Sequence, residues 1–157
     1  MIMKKLKYFL ILFFLISCGY TPIYQADRDL NLKLDTINYS GDKKIGRSII
    51  KGVQKLKNNN SVNIFNVDFV STKNENVISK DKKGNISTYK MTLVVNFNLK
   101  SKDNNKVFSK KFVKETNYNS MNNKFELSQY KLNLEKNLTS QILQDINIFL
   151  SAIGNDL

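Results

Sequence analysis

The chain has 157 residues with 25 Lys and Arg against 13 Asp and Glu, a formal charge of +12. It has no histidine, no tryptophan and one cysteine, Cys18. An internal disulfide is therefore impossible, and the most usual general base and the histidine or thiolate zinc sites are excluded.

The N-terminus carries Lys4, Lys5 and Lys7 without an acid, followed by an apolar run from Phe9 to Ile16. A spanning helix needs about 20 apolar residues, and Tyr8 to Ile16 supplies nine before Ser17-Cys18-Gly19 closes the run. That is the pattern of a signal peptide over residues 1–17. Leu15-Ile16-Ser17-Cys18 resembles the lipobox of bacterial lipoproteins, which implies cleavage before Cys18 and a diacylglycerol thioether on its sulfur. More than one acyl chain makes such an anchor stable, at about 0.8 kcal/mol per buried methylene. Gly19 stands where lipoprotein sorting rules reserve aspartate for inner-membrane retention, so the resemblance implies the outer membrane. Loss of residues 1–17 removes three lysines and leaves +9 over 140 residues, enough for one domain. This excess fits an anionic partner such as phosphorylated lipid or polysaccharide rather than nucleic acid. It fits equally a composition bias that writes Lys and Asn everywhere.

Residues 18–27 hold the only proline, Pro22, and no periodicity, and read as a lipidated tether to a domain over residues 28–157. Leu30, Leu32 and Leu34 alternate with Asn31, Lys33 and Asp35, the period of a half-buried strand. Ser40-Gly41-Asp42 offers turn and N-cap chemistry. Ile45, Ile49, Val53 and Leu56 then recur at helical spacing up to Asn58-Asn59-Asn60. Val62, Ile64, Val67 and Phe69 predict a second strand with a bulge near Phe65-Asn66. Residues 71–85 are largely polar, with Lys73, Asn74, Glu75, Asn76 and Lys80 to Asn85, and predict a mobile loop.

Tyr89, Met91, Leu93, Val95, Phe97 and Leu99 alternate with polar residues in a long strand. Ser101 to Asn105 is a turn, and Val107 to Tyr118 reads as a strand at an edge, because lysines share both of its faces with apolar residues. From Asn123, Leu127, Tyr130, Leu134, Leu138, Ile142, Ile146, Phe149 and Ile153 form one helical stripe, stopped by Gly154-Asn155. The order β-α-β-β-β-α predicts an α+β two-layer sandwich: a four-stranded mixed sheet with both helices on one face. Its other face, with Lys33, Lys90, Thr92, Asn96, Asn98 and Lys100, is polar and open.

No phosphate-binding glycine loop occurs, and the carboxylates are scattered singly, so neither an enzyme nor a cofactor or metal site is expected. The salient cluster is basic: on the hairpin, Lys100, Lys102, Lys106, Lys110, Lys111 and Lys114 fall within fifteen residues, with Asp103 the only acid among them. Lysines there can meet phosphates as point charges, or can form a solvated edge that discourages strand pairing. Phe108, Phe112 and Tyr118 read as packing before they read as a lipid-binding face.

Cys18-Gly19-Tyr20-Thr21-Pro22-Ile23-Tyr24, with this element order, resembles the alphaproteobacterial branch of the lipopolysaccharide-assembly lipoprotein family LptE. The resemblance implies a plug and folding partner for an LptD-type β-barrel, lipid-anchored at the outer membrane and contacting lipopolysaccharide through basic residues on sheet loops. By that resemblance the contact residues are Lys100, Lys102, Lys106 and Lys110. The alternatives are a periplasm-facing lipoprotein adaptor in envelope assembly and, outside binding proteins altogether, a lipid-anchored hydrolase.

Overall fold

The computed structural model describes residues 31–56 and 61–156. The signal peptide, Cys18 and the tether lie outside these, as does Leu30. Four strands, β1 (Lys33–Gly41), β2 (Ile64–Lys80), β3 (Ile86–Ser101) and β4 (Val107–Asn119), form one sheet in that order. Helix α1 (Lys43–Gln54) connects β1 to β2, and α2 (Lys124–Asn155) follows β4. β1 is parallel to β2, a pairing that needs a crossover, and α1 supplies it; the other pairs are antiparallel. The fold is the expected α+β sandwich with a mixed four-stranded sheet.

Local chemistry explains each boundary. At the end of β1, Gly41 has φ +91°, and a Cβ there would lie 2.0 Å from the Ser71 carbonyl oxygen, so only glycine makes this turn. Asp42 is then the N-cap of α1: its carboxylate accepts from the Lys44 and Ile45 amides at 2.9 and 3.0 Å. Asn123 caps α2 in the same way, accepting from Phe125 and Glu126 and donating to the Glu126 side chain.

One sheet face packs on the helices. Phe65, Val67 and Phe69 of β2 and Met91 to Leu99 at alternate positions of β3 are buried there with Ile45, Ile49 and Val53 of α1. From α2 come Leu138, Ile142, Ile146 and Ile153 of the expected stripe, and Leu150 beside it; Tyr130, at 39% exposure, is only partly covered. An aromatic row crosses the whole sheet. Tyr39 stacks on Phe69, Phe69 on Phe97, and Phe112 meets Phe97 edge-on, with Phe149 of α2 set against both Phe97 and Phe112 at 6.3 and 6.0 Å.

Two expectations are corrected. Residues 71–80 are not a loop: β2 runs to Lys80, and only a tight turn over 81–85 precedes β3. The backbone of this stretch is paired with β3 from Ser71↔Val95 to Lys80↔Ile86, so it needs no apolar face of its own. The bulge is also on the other strand. Leu34 faces Phe65 and Ile37 faces Val67, which leaves two residues of β1 opposite Asn66, whose side-chain oxygen accepts from the Thr36 amide at 3.4 Å.

Candidate functional site

Strand alternation sends Thr92, Val94, Asn96, Asn98 and Lys100 of β3 to the face that the helices leave uncovered. Asp68, Val70, Thr72 and Asn74 of β2 and Ser109, Lys111, Val113 and Glu115 of β4 join them through the register. This open face is mostly amide and hydroxyl. Near its centre lies a small apolar patch: Val94 pairs directly with Val113, and Val70 sits diagonally across from Val94. Val70 and Val113 are 42% and 46% exposed. Lys90 is paired with Glu115 at 3.0 Å, whereas Lys100 and Lys111 have no ion-pair partner among the described residues.

The four lysines expected to act together do not share one surface. Lys100 is on the open face at the end of β3, and Lys106 is exposed in the turn that leads to β4. Lys102 is bound to the Asp35 carboxylate beside the β1 bulge. Lys110 points to the helix side, its ammonium 5.5 and 5.2 Å from the ring centroids of Phe112 and Phe149. Lys114, on the same side, pairs with Asp145 of α2 at 2.8 Å. Two of the six hairpin lysines thus clamp β4 to α2, and the basic surface at the hairpin end reduces to Lys100 and Lys106, with Lys102 already paired.

A second charged constellation was not anticipated. Glu135 of α2 is buried, with 6% of its side chain exposed, and takes Lys44 of α1 at 2.8 Å and Lys73 of β2 at 2.7 Å. Burial alone pushes its carboxyl up, but hydrogen bonds from both lysines and the Lys73 charge outweigh burial and hold it below the ordinary carboxylate value. Lys73 is raised in turn, chiefly by its hydrogen bond to Glu135. Nearby, Glu75 of β2 takes Lys131 of α2 and the Tyr118 hydroxyl, the latter at 2.8 Å. Burial pushes Glu75 up, while the bonds from Lys131 and Tyr118 bring it below its usual value. Tyr118 is pushed well up, first by burial and then by the carboxylate it donates to. Lys73, Glu75, Lys131 and Glu135 border a groove of about 310 Å³ between β2 and the first half of α2, lined also by Lys124, Leu127, Ser128 and Leu132. The sequence signal was Glu135 itself, a charge immediately beside Leu134 and three residues before Leu138 on the apolar stripe.

Among the described residues, no helix is long and apolar enough to cross a membrane and no three metal-ligating side chains converge.

No family model matches the chain, and no curated protein matches it. Solved structures do. Rare lipoprotein B from Shewanella oneidensis superposes with a TM-score of 0.55 at 13% identity, covering 76% of this chain and 98% of that one. An uncharacterised lipoprotein B from Nitrosomonas europaea gives 0.54 at 9% identity, covering 81% and 87%. A minor lipoprotein from Acinetobacter baumannii gives 0.54 at 11% identity, covering 74% and 90%. At these identities the likeness is one of fold, and it spans nearly the full length of each of the three.

Proposed function

We propose that this chain is an outer-membrane lipoprotein, acylated at Cys18, that acts by binding as the partner of an LptD-type β-barrel in lipopolysaccharide transport and assembly. The observation that carries the reading is the conjunction of the Leu15 to Cys18 lipobox with a sheet face that none of the described residues covers. Three proteins described as lipoproteins share the fold, which supports the anchor. The polar open face with its Val70, Val94 and Val113 patch suits a partner that is itself largely polar, as the interior of a β-barrel is. Lys100 and Lys106 supply exposed cations for lipopolysaccharide phosphates. The reading assigns no catalytic step to any residue.

The same fold in several lipoproteins of low identity also favours a second reading, in which the chain is a periplasm-facing adaptor with the anchor but a different partner. Site-directed photo-crosslinking from Asn96 and Val113 on the open face separates the two. A large β-barrel protein captured from both positions supports the first reading, and capture of other envelope proteins alone supports the adaptor.

A further inference from the structure

β1 ends at Gly41 opposite Ser71, where the chain turns away into α1. From Thr72 onward β2 is paired with β3 on one side and, among the described residues, with nothing on the other. Register shifts deform β2 from Val77 onward, so the regular unpaired edge is Thr72 to Val77, six residues. Edges are often protected by inward-pointing lysines. Here that protection is spent, because the Lys73 ammonium is held on Glu135, away from the edge. The groove beside this edge is bordered by Lys73 and Glu75 of β2 and by Lys124, Lys131, Leu132 and Glu135 of α2. Three lysines there face two carboxylates.

We propose that the Thr72 to Val77 edge and the adjoining groove bind an extended segment of a partner protein, added as a fifth strand in line with β1, whose side chains on the groove side are acidic with an apolar residue against Leu132. Backbone groups along the edge that no described strand pairs supply the bonds, and alternate side chains of the incoming strand meet the groove. The excess of positive charge selects acids. A second copy of the chain does not suit the edge, since two basic grooves would be brought together. Nor does the chain's own tether: Asn31 is held beside Asn63, about 30 Å along the strand from Thr72 and about 46 Å from Val77. Residues 19–30 reach about 40 Å when fully extended, too little to cover the edge while Cys18 stays in a bilayer. That last step alone rests on the anchored reading; the edge and its charge do not.

The test is selection of short random peptides displayed on phage against the full chain in detergent, followed by hydrogen exchange with a selected peptide. Selected sequences should carry Asp or Glu at alternate positions. The peptide should protect alternate amides within Thr72 to Val77, and Lys124→Glu should weaken it about tenfold with an unchanged melting temperature. Selection of nothing above background, of peptides without acidic enrichment, or of peptides that protect β4 or the open face overturns the proposal. So does equal affinity for the Lys124→Glu protein. Equivalent protection by a peptide of residues 19–30 would assign the edge to the tether, and protection that grows with protein concentration alone would assign it to a second copy; either overturns the proposal.

Discussion

The Lys73 ammonium lies 2.7 Å from a carboxylate oxygen of Glu135, a contact between residues 62 positions apart that ties the polar half of β2 to α2. With Lys44 on the other oxygen, one buried carboxylate holds α1, β2 and α2 together. Replacing Glu135 with Gln leaves shape but removes the charge that both lysines answer. The variant should lose about 1–3 kcal/mol in urea unfolding with an unchanged m-value. A loss within about 0.5 kcal/mol would mean that the network is no better than water for these groups.

The same carboxyl makes stability pH-dependent in a definite direction. Its pKa is lowered in the fold from an ordinary 4.5, so its contribution is complete above that value and is lost as the pH falls through the folded pKa. Glu75 and Asp81 are lowered too. Glu135 is therefore isolated by comparing wild type with Glu135→Gln. Between about pH 6 and pH 3, the urea midpoint of wild type should fall more steeply than that of the variant. Parallel curves would remove Glu135 from the acid response.

Much of the fold is legible in the residues because burial imposes period: Met91 to Leu99 alternate, the α2 stripe recurs at 3.6, and Gly41-Asp42 writes its own turn and cap. The stretch from Thr72 to Lys80 was not legible. It has no alternating apolar face, its only apolar residues being the adjacent and exposed Val77 and Ile78, and what holds it is backbone pairing with β3 and ion pairs to residues on α2. An alternation slip likewise shows that two strands disagree without showing which carries the extra residue. The lysine hairpin looked like one basic site because sequence neighbours on a strand face opposite ways, and Lys110 and Lys114 went to the helix side.

Two glycines with positive φ separate conformational strain from close approach. Gly84 has φ +84° with open space around its Cβ position, so Gly84→Ala should cost only about 1 kcal/mol. Gly41→Ala adds a collision with the Ser71 carbonyl to the same strain and should cost several-fold more. Equal melting temperatures for the two variants would show that the end of β1 can move.

Phe97 is fully buried and touches rings from β2, β4 and α2. Truncation to alanine opens a cavity at that junction and should cost about 3–5 kcal/mol, measured by denaturant unfolding. A cost under about 1 kcal/mol would mean the aromatic row repacks around the gap.

At the hairpin, Lys100→Gln with Lys106→Gln should weaken binding to lipopolysaccharide vesicles and flatten its salt dependence, because exposed cations are what salt screens. Lys110→Gln should leave that binding unchanged and cost about 0.5–1 kcal/mol of stability through its two rings. The reverse pattern would return the site to Lys110.

The central proposal is that the lipid-anchored domain works in complex with a large β-barrel. The direct measurement is affinity recovery of the C-terminally tagged chain from detergent-solubilised outer membranes, with Cys18→Ala as the unanchored control. Wild type should bring down a large β-barrel protein in near-equal amount, and Cys18→Ala should label with no fatty acid and recover far less of it. Wild-type protein recovered from outer membranes in quantity, with no large β-barrel beside it, would contradict the proposal.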